Sequence, residues 1–559
     1  MFKKLLFSPI LLAAALHCST ATAQERLPDA QAVSDYANQL LQQQPFDNKS
    51  PGVAVLVARG DKVLFQQAYG MASIELGVPL QPDHKFRIGS VTKQIAATAL
   101  LTLIDNGKAA LNDPLSKYLP DYPNANAITL QQLLNHTSGV KSYTGIPGYM
   151  HNKIRSQLST GELIAEFKDL PVDFAPGAEF RYNNSGYVLL GAVIEAITGK
   201  SWYQYLNDAV LAPNMLSNII YPDEQRIIPG MADGYSLQPD QAVTRAGLLS
   251  MTQPHAAGAL VADANALWQW NRLLHGGKLL KPATYQQMIT PIGAAAENGE
   301  NYGFGITRAK LRDMLLLQHG GGIHGFVSLL SYLPESELTV VMLRNSDGRG
   351  PDLEYLSRKI AAFAAGNPYR EYPTIALTEH QLQEFSGVYN NGEDSRKLEV
   401  RDGKLFSTRA GGQPFELTPQ VNDFFGFSDS VTRLSAQRDK TGKVTSVTMH
   451  YDADDAGQQW IRIGDVTSKA DITLTAVQQQ ALLGSYASDE LKLQILLSAD
   501  GAGLQVQLEG QPAFALKAAT ERSLYLTVVD ASLEFAPQTG PAQQVTLTQG
   551  PARIVLNRQ

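Results

Sequence analysis

The chain has 559 residues, of which 44% are hydrophobic and 18% charged, and its formal net charge is −7. That length exceeds what one hydrophobic core organises and points to two to four domains, while the composition excludes a disordered chain. A mildly acidic balance with no basic run excludes broad electrostatic attraction to nucleic acid or to an anionic membrane.

At the start of the chain, Lys3 and Lys4 precede an apolar stretch from Leu5 to Leu16, and Ala21-Thr22-Ala23 offers the small residues a signal peptidase reads. Residues 1–23 are therefore expected to be a signal peptide and the protein to be exported, periplasmic or secreted. The single cysteine, Cys18, lies inside this segment, and His17 before it does not fit the small residue of a lipidation site. The mature chain can then neither form a disulfide nor use cysteine catalysis. No later apolar run is long enough to span a bilayer, so no transmembrane anchor is expected after cleavage.

Residues 28–44 place Val33, Tyr36, Leu40 and Leu41 on one helical face until Pro45 ends the pattern. Val53 to Ala58 reads as a buried strand, and Val63 to Tyr69 as its hairpin partner through Gly60-Asp61. A long helix is predicted from near Ser90 to Gly107, with Ile95, Ala96, Ala99, Leu100, Leu103 and Ile104 on its apolar face. Further helices are predicted from 186 to 197, closed by Gly199, and from 264 to 274, closed by Gly276-Gly277. Strands are predicted over 313–318, 326–333 and 338–344, and a last helix over 353–365. Strands at both ends of this stretch can pair as one antiparallel sheet against a helical lobe. The result is an α/β (α+β) catalytic domain over 24–370 with a cleft between its lobes.

After Gly366-Asn367-Pro368-Tyr369 and Pro373 the pattern becomes strand and turn, and it repeats. Phe385-Ser386-Gly387-Val388-Tyr389 returns as Leu482-Leu483-Gly484-Ser485-Tyr486, Asp402-Gly403 as Asp500-Gly501, and Pro414-Phe415-Glu416-Leu417 resembles Pro512 to Leu516. Two small all-β barrels over 378–465 and 476–559, each closing its own edges, are expected. One merged β-domain is the alternative.

Three short segments carry chemistry. In Ser90-Val91-Thr92-Lys93 the hydroxyl and the amine share one helical face, and a helix start favours developing negative charge. Burial would push the lysine toward its neutral form. Tyr182-Asn183-Asn184 offers a phenol able to relay the Ser90 proton and an amide able to accept from Lys93 and donate to a substrate carbonyl. His319-Gly320-Gly321-Gly322 offers glycine backbone that can approach a ligand, so the N–H groups of Ser90 and Gly322 can form an oxyanion hole, with His319 donating to Tyr182 or to substrate. The bland alternatives are a capping serine with its lysine in water, and a core tyrosine beside an Asn turn. A zinc site through His319 and His324 lacks a third ligand, a phosphate cradle lacks its Gly-Lys-Ser/Thr, and no Gly-x-Ser-x-Gly elbow is present.

Taken in order, these segments resemble the penicillin-binding-protein and class C β-lactamase superfamily of serine hydrolases. Phe86-Arg87-Ile88-Gly89, Leu133 to Gly139, Tyr187 to Gly199 and Tyr302-Gly303-Phe304-Gly305 add to the resemblance, which runs over roughly 28–366. It implies a β-lactamase/transpeptidase-like catalytic domain. In it Ser90 is the nucleophile, Lys93 and Tyr182 move its proton, Asn184 is the amide partner, His319 to Gly321 form the third motif, and Gly322 is the second oxyanion donor. Class C β-lactamases carry Lys-Thr-Gly in the third motif; here it is His-Gly-Gly. The permanent charge and the hydroxyl that anchor a substrate carboxylate are both missing. The His-x-Gly form and the two trailing barrels are similar to D-aminopeptidases. The expectation is a serine hydrolase working through an acyl-enzyme, a peptidase or amidase on small D-amino-acid or peptide substrates. An esterase, then a β-lactamase or DD-carboxypeptidase, and a non-catalytic binding protein are the alternatives. The chemistry calls for no cofactor and no metal. The partner is a small amide, peptide or ester, and homo-oligomerisation is open.

Overall fold

The structure, a computed structural model, describes residues 27–559 apart from 224, 239–241, 298–299, 453–454, 467–469, 490, 499–500 and 502. The expected signal peptide with Cys18, and Asp500 of the repeat, lie outside the described residues.

Helix α1 (Ala30–Gln42) starts where the side chain of Asp29 accepts from the Ala32 N–H, and it buries Val33, Ala37, Leu40 and Leu41. Strands β1 (Val53–Arg59) and β2 (Lys62–Tyr69) follow as a hairpin. Four strands arrive more than two hundred residues later: β3 (Thr307–Leu311), β4 (Met314–Ile323), β5 (Phe326–Leu333) and β6 (Leu338–Arg344). They join the hairpin in one antiparallel sheet of order β2-β1-β6-β5-β4-β3. The two ends of the domain meet where β1 lies beside β6, Val53 opposite Arg344 and Arg59 opposite Leu338.

The period-two alternation of β1 divides the interior. Val53, Val55 and Val57 face α1 and helix α5 (Leu353–Ala364). Ala54, Leu56 and Ala58 face a larger core built from helices α2 (Thr92–Asp105), α3 (Asn184–Thr198) and α4 (Ala264–His275). That second face carries the cleft.

Two strands of this sheet differ from the sequence expectation. Strand β3 reads Thr-Arg-Ala-Lys-Leu and shows no apolar run, because it is an edge strand and its cations face outward. Strand β4 continues through the three glycines to Ile323, since ladder pairing to β5, His319 opposite Leu330 through Ile323 opposite Phe326, needs no side chains.

Two closed barrels of eight antiparallel strands follow, running from Gly387–Asn390 to Gln458–Gly464 and from Gly484–Ala487 to Ala552–Arg558. The merged-domain alternative is thereby set aside. The repeat is visible in matching bonds. Thr378 with Gln381, and Thr475 with Gln478, form capping boxes. The hydroxyls of Tyr389 and Tyr486 donate to Phe385 O at 2.7 Å and Leu482 O at 2.8 Å. The first barrel docks on the α1/α5 side of the sheet, opposite the cleft. Val431 joins that core, and Asp452 Oδ1 accepts from Arg358 Nη2 at 2.9 Å and from the Tyr369 hydroxyl at 2.7 Å. The last barrel bonds to the first through Asp530 N–H to Gly412 O at 2.9 Å and Gln549 Nε2 to Gly411 O at 2.9 Å. Among the described residues no helix is long and apolar enough to cross a membrane.

Candidate active site

Ser90 lies in a 3-10 turn, Gly89–Val91, that feeds directly into α2, so the long helix proper begins two residues later than its sequence pattern suggests. The turn is tied down on several sides. Ile88 N–H donates to Leu260 O at 3.0 Å, Ser328 Oγ donates to Ile88 O at 2.7 Å, and Leu260 N–H donates to Thr92 Oγ1 at 3.1 Å. Gly89 has φ of +48°, and a Cβ there would sit 3.0 Å from the Gly322 nitrogen. Only glycine lets the turn that bears Ser90 come this close to β4.

Lys93 is fully buried. Its Nζ lies 3.1 Å from Ser90 Oγ and donates to Asn184 Oδ1 at 2.8 Å and to Ala257 O at 2.9 Å. None of these partners is charged. Burial accordingly pushes the lysine well below its ordinary value. A neutral amine has two protons and one lone pair. The two carbonyl-type oxygens take the protons, which leaves the lone pair facing the Ser90 hydroxyl. An amine in that state can accept the serine proton.

Asn183 caps α3, its Oδ1 accepting from Gly186 N–H at 2.9 Å, and this sets the neighbouring side chains into the cleft. Asn184 turns its oxygen to Lys93 while its Nδ2 donates to Thr144 Oγ1 at 3.1 Å. Tyr182 stands over the lysine, whose Nζ is 4.7 Å from the ring centroid. Burial raises the phenol above its usual range, and a hydrogen bond with Ser90 acts the other way. Some 39% of the residue remains open to the cleft, so solvent offsets part of the upward push. A phenol that holds its proton beside the serine suits it to protonate a departing group.

The third segment lies along β4. Gly321 touches the turn that bears Ser90: a Cβ there would meet Ile88 O at 2.1 Å and Ser328 Oγ at 2.4 Å. Gly320 and Gly322 are exposed. The two-residue turn His324-Gly325 makes Ile323 and Phe326 a bonded pair, so alternation leaves the Gly322 amide pointing away from β5, toward the turn that bears Ser90. His319 is buried, and its Nδ1–H donates to Gly320 O at 2.6 Å. Its Nε2 therefore accepts, at 2.8 Å, from the Tyr302 hydroxyl. Burial foremost, then the nearby Lys93, lowers its pKa to about 4, so the ring is uncharged at neutral pH. The expectation that His319 donates to Tyr182 or to substrate is corrected by this geometry, because its one ring proton already goes to a backbone carbonyl.

Ser90, Lys93, Tyr182, Asn184, His319, Gly321 and Gly322 thus gather at one cleft from the start of α2 and the turn before it, from the start of α3 and the stretch before it, and from β4. Sequence reasoning missed the Ala257 carbonyl and the hydroxyls of Tyr302 and Thr144. A backbone oxygen leaves no mark on a sequence; Tyr302 was legible only as part of its Tyr-Gly-Phe-Gly segment. Among the described residues no group of three metal-ligating side chains forms.

The beta-lactamase family model matches residues 37–365, more than half of the chain. The chain belongs to the beta-lactamase family. Its beta-lactamase-family domain is that of a serine hydrolase, and its relatives span several activities. Penicillin-binding protein 4* of Bacillus subtilis (strain 168) is 24% identical over 400 residues, covering 66% of this chain and 86% of that protein. D-aminopeptidase of Gluconobacter oxydans (strain 621H) is 25% identical over 329 residues, covering 57% of this chain and 60% of that protein. The crystal structure of the D-stereospecific amidohydrolase from Streptomyces sp. superposes with a TM-score of 0.53 at 28% identity, covering 61% of this chain and 99% of that one.

Proposed function

We propose that this protein is an exported hydrolase that cleaves small D-amino-acid amides or peptides through an acyl-enzyme on Ser90. The observation that carries the proposal is the uncharged surroundings of Lys93, with its Nζ 3.1 Å from the Ser90 hydroxyl. Lys93 takes the proton of Ser90 as its oxygen attacks the carbonyl carbon. The N–H groups of Ser90 and Gly322 receive the oxyanion. Tyr182 delivers a proton to the leaving nitrogen; its phenolate then takes the proton of the attacking water, and Lys93 returns its proton to Ser90 Oγ as the acyl–oxygen bond breaks.

Substrate class follows from what the third segment lacks. His319 is uncharged near neutrality, and Gly320 brings no hydroxyl. A substrate carboxylate would forgo charge-assisted bonds of about 1.5–3 kcal/mol each. That disfavours β-lactams and D-Ala-D-Ala ends relative to substrates that carry no carboxylate beside the scissile bond. The likeness to D-aminopeptidase and to the D-stereospecific amidohydrolase supports the same choice, and the His-x-Gly segment with two trailing barrels fits a D-aminopeptidase layout.

Intact-mass spectrometry after mixing with a D-aminoacyl amide, an acyl ester, a D-Ala-D-Ala peptide and a penicillin tests this reading. The expected result is an adduct on Ser90 and turnover of the D-aminoacyl amide well above its L-enantiomer. Turnover of the penicillin ahead of the amide would overturn it.

A further inference from the structure

His136 lies in the segment Leu133 to Gly139, which the proposed chemistry leaves without a task. We propose that His136 is the positioning residue for Tyr182, fixing the backbone on both sides of the tyrosine and wedging its ring toward Ser90; the proposal rests on the acyl-transfer reading above.

Tyr182 sits at the end of an irregular stretch, just before the cap of α3, where no strand ladder holds the backbone. His136 supplies the missing constraints. Its carbonyl accepts from Arg181 N–H at 3.1 Å, and its Nδ1 accepts from Asn183 N–H at 3.2 Å. The residue before the tyrosine and the residue after it are therefore bonded to the same histidine. Buried amides need such partners, and here two are met by one residue.

The ring does the rest. Its centroid is 4.4 Å from that of Tyr182, 4.6 Å from Tyr302 and 5.3 Å from Tyr187. Tyr302 in turn donates to His319, so His136 couples the second catalytic segment to the third through packed rings. Because Nδ1 accepts, the ring proton resides on Nε2, which is buried and has no hydrogen-bond partner among the described residues. A histidine left with a buried, unmatched N–H is retained at some expense in stability, as expected where geometry at a reacting group matters more. The backbone also selects the residue type. At φ of +63° His136 is left-handed, a conformation that histidine and asparagine adopt more readily than most side chains.

The test separates acceptor from bulk. His136→Asn keeps a left-handed backbone and an acceptor but loses the ring; His136→Phe keeps the ring and loses the acceptor. Each is measured by the rate at which a small fluorophosphonate labels Ser90 and by kcat and KM on the best substrate found. Both variants are expected to lower kcat on an amide by about 10- to 100-fold, the scale of a misplaced catalytic group, with KM within about twofold and with labelling, whose fluoride leaves without a proton, changed far less. In a Tyr182→Phe background, His136→Asn should have little further effect, because the group it positions is gone. Equal loss in both backgrounds, or a wild-type kcat on the amide for either variant, would overturn the proposal. Should His136→Phe fail to fold, the cycle with His136→Asn decides alone. Failure of the wild-type protein to label at Ser90 would instead overturn the acyl-transfer reading itself.

Discussion

The cleft and the first barrel each bury a basic side chain among neutral partners, and the two behave differently. Lys93 meets Ser90, Asn184 and the Ala257 carbonyl. Arg396 donates to Ser407 Oγ at 2.7 Å and lies 5.0 Å from the Trp460 ring centroid. Burial lowers the pKa of both. Lysine can answer by releasing its proton, while a guanidinium keeps its charge under any condition in which a protein is folded. The same desolvation therefore leaves a side chain able to serve as a base in one place and a fixed internal cation in the other. What distinguishes a reactive site from a structural one here is the side chain's ability to change state, not how deeply it is buried.

The sharpest way to break that contrast is at the nucleophile. Ser90→Ala should abolish turnover and fluorophosphonate labelling while the melting profile stays intact; residual normal activity would remove Lys93 from the chemistry altogether. Next in size is Lys93→Arg, which keeps the charge but cannot become neutral. It should lower kcat by about 10²–10⁴-fold, the range lost with a general base. A kcat within tenfold of wild type would show that a fixed cation suffices.

A smaller and more distributed effect concerns acid. His319 and His255 are buried, and burial lowers their pKa values from 6.5 to about 4 and about 3. As pH falls from 6.5 toward 4, the unfolded chain binds protons that the folded chain refuses, so stability should decline through that window. Thermal unfolding followed between pH 7 and 4 should show a steady drop, and a flat profile would contradict the neutral assignment. Thr144→Val removes the donation from Asn184 to a hydroxyl. The loss of one hydrogen bond, about 1 kcal/mol, should reduce kcat about fivefold in steady-state assays. Smallest of all, Arg396→Met should leave kcat and KM unchanged and affect only unfolding, because its cation takes no part in catalysis.

Much of this cleft was legible because its first two members are three residues apart where a 3-10 turn runs into a helix, and its next two flank a helix cap. Such spacings survive in a sequence because local geometry alone brings the side chains together. The barrels were legible for a related reason: the same tyrosine and the same Gly-Ser or Ser-Gly neighbourhood recur. What was not legible depends on long-range contact. The Ala257 carbonyl reaches Lys93 across 164 positions, and a backbone oxygen has no residue type to announce it. His319 read as a donor because a sequence does not say where a ring proton goes; only the neighbouring Gly320 carbonyl decides that. Strand β3 hid its identity behind two cations, and the end of β4 behind three glycines.

The three glycines of β4 are also unequal under mutation. Position 321 admits no side chain, since it presses on Ile88 and Ser328, yet a Cβ at position 320 would meet only Ser328 O at 3.7 Å and Leu329 Cδ1 at 4.0 Å. A Cβ at that position makes only ordinary van der Waals contacts. The hydroxyl missing from the third segment is therefore not barred by crowding at position 320, but a replacement there restores only the hydroxyl; the charge absent at His319 needs a second change, so the path to acidic substrates is at least two steps long for laboratory selection or natural drift.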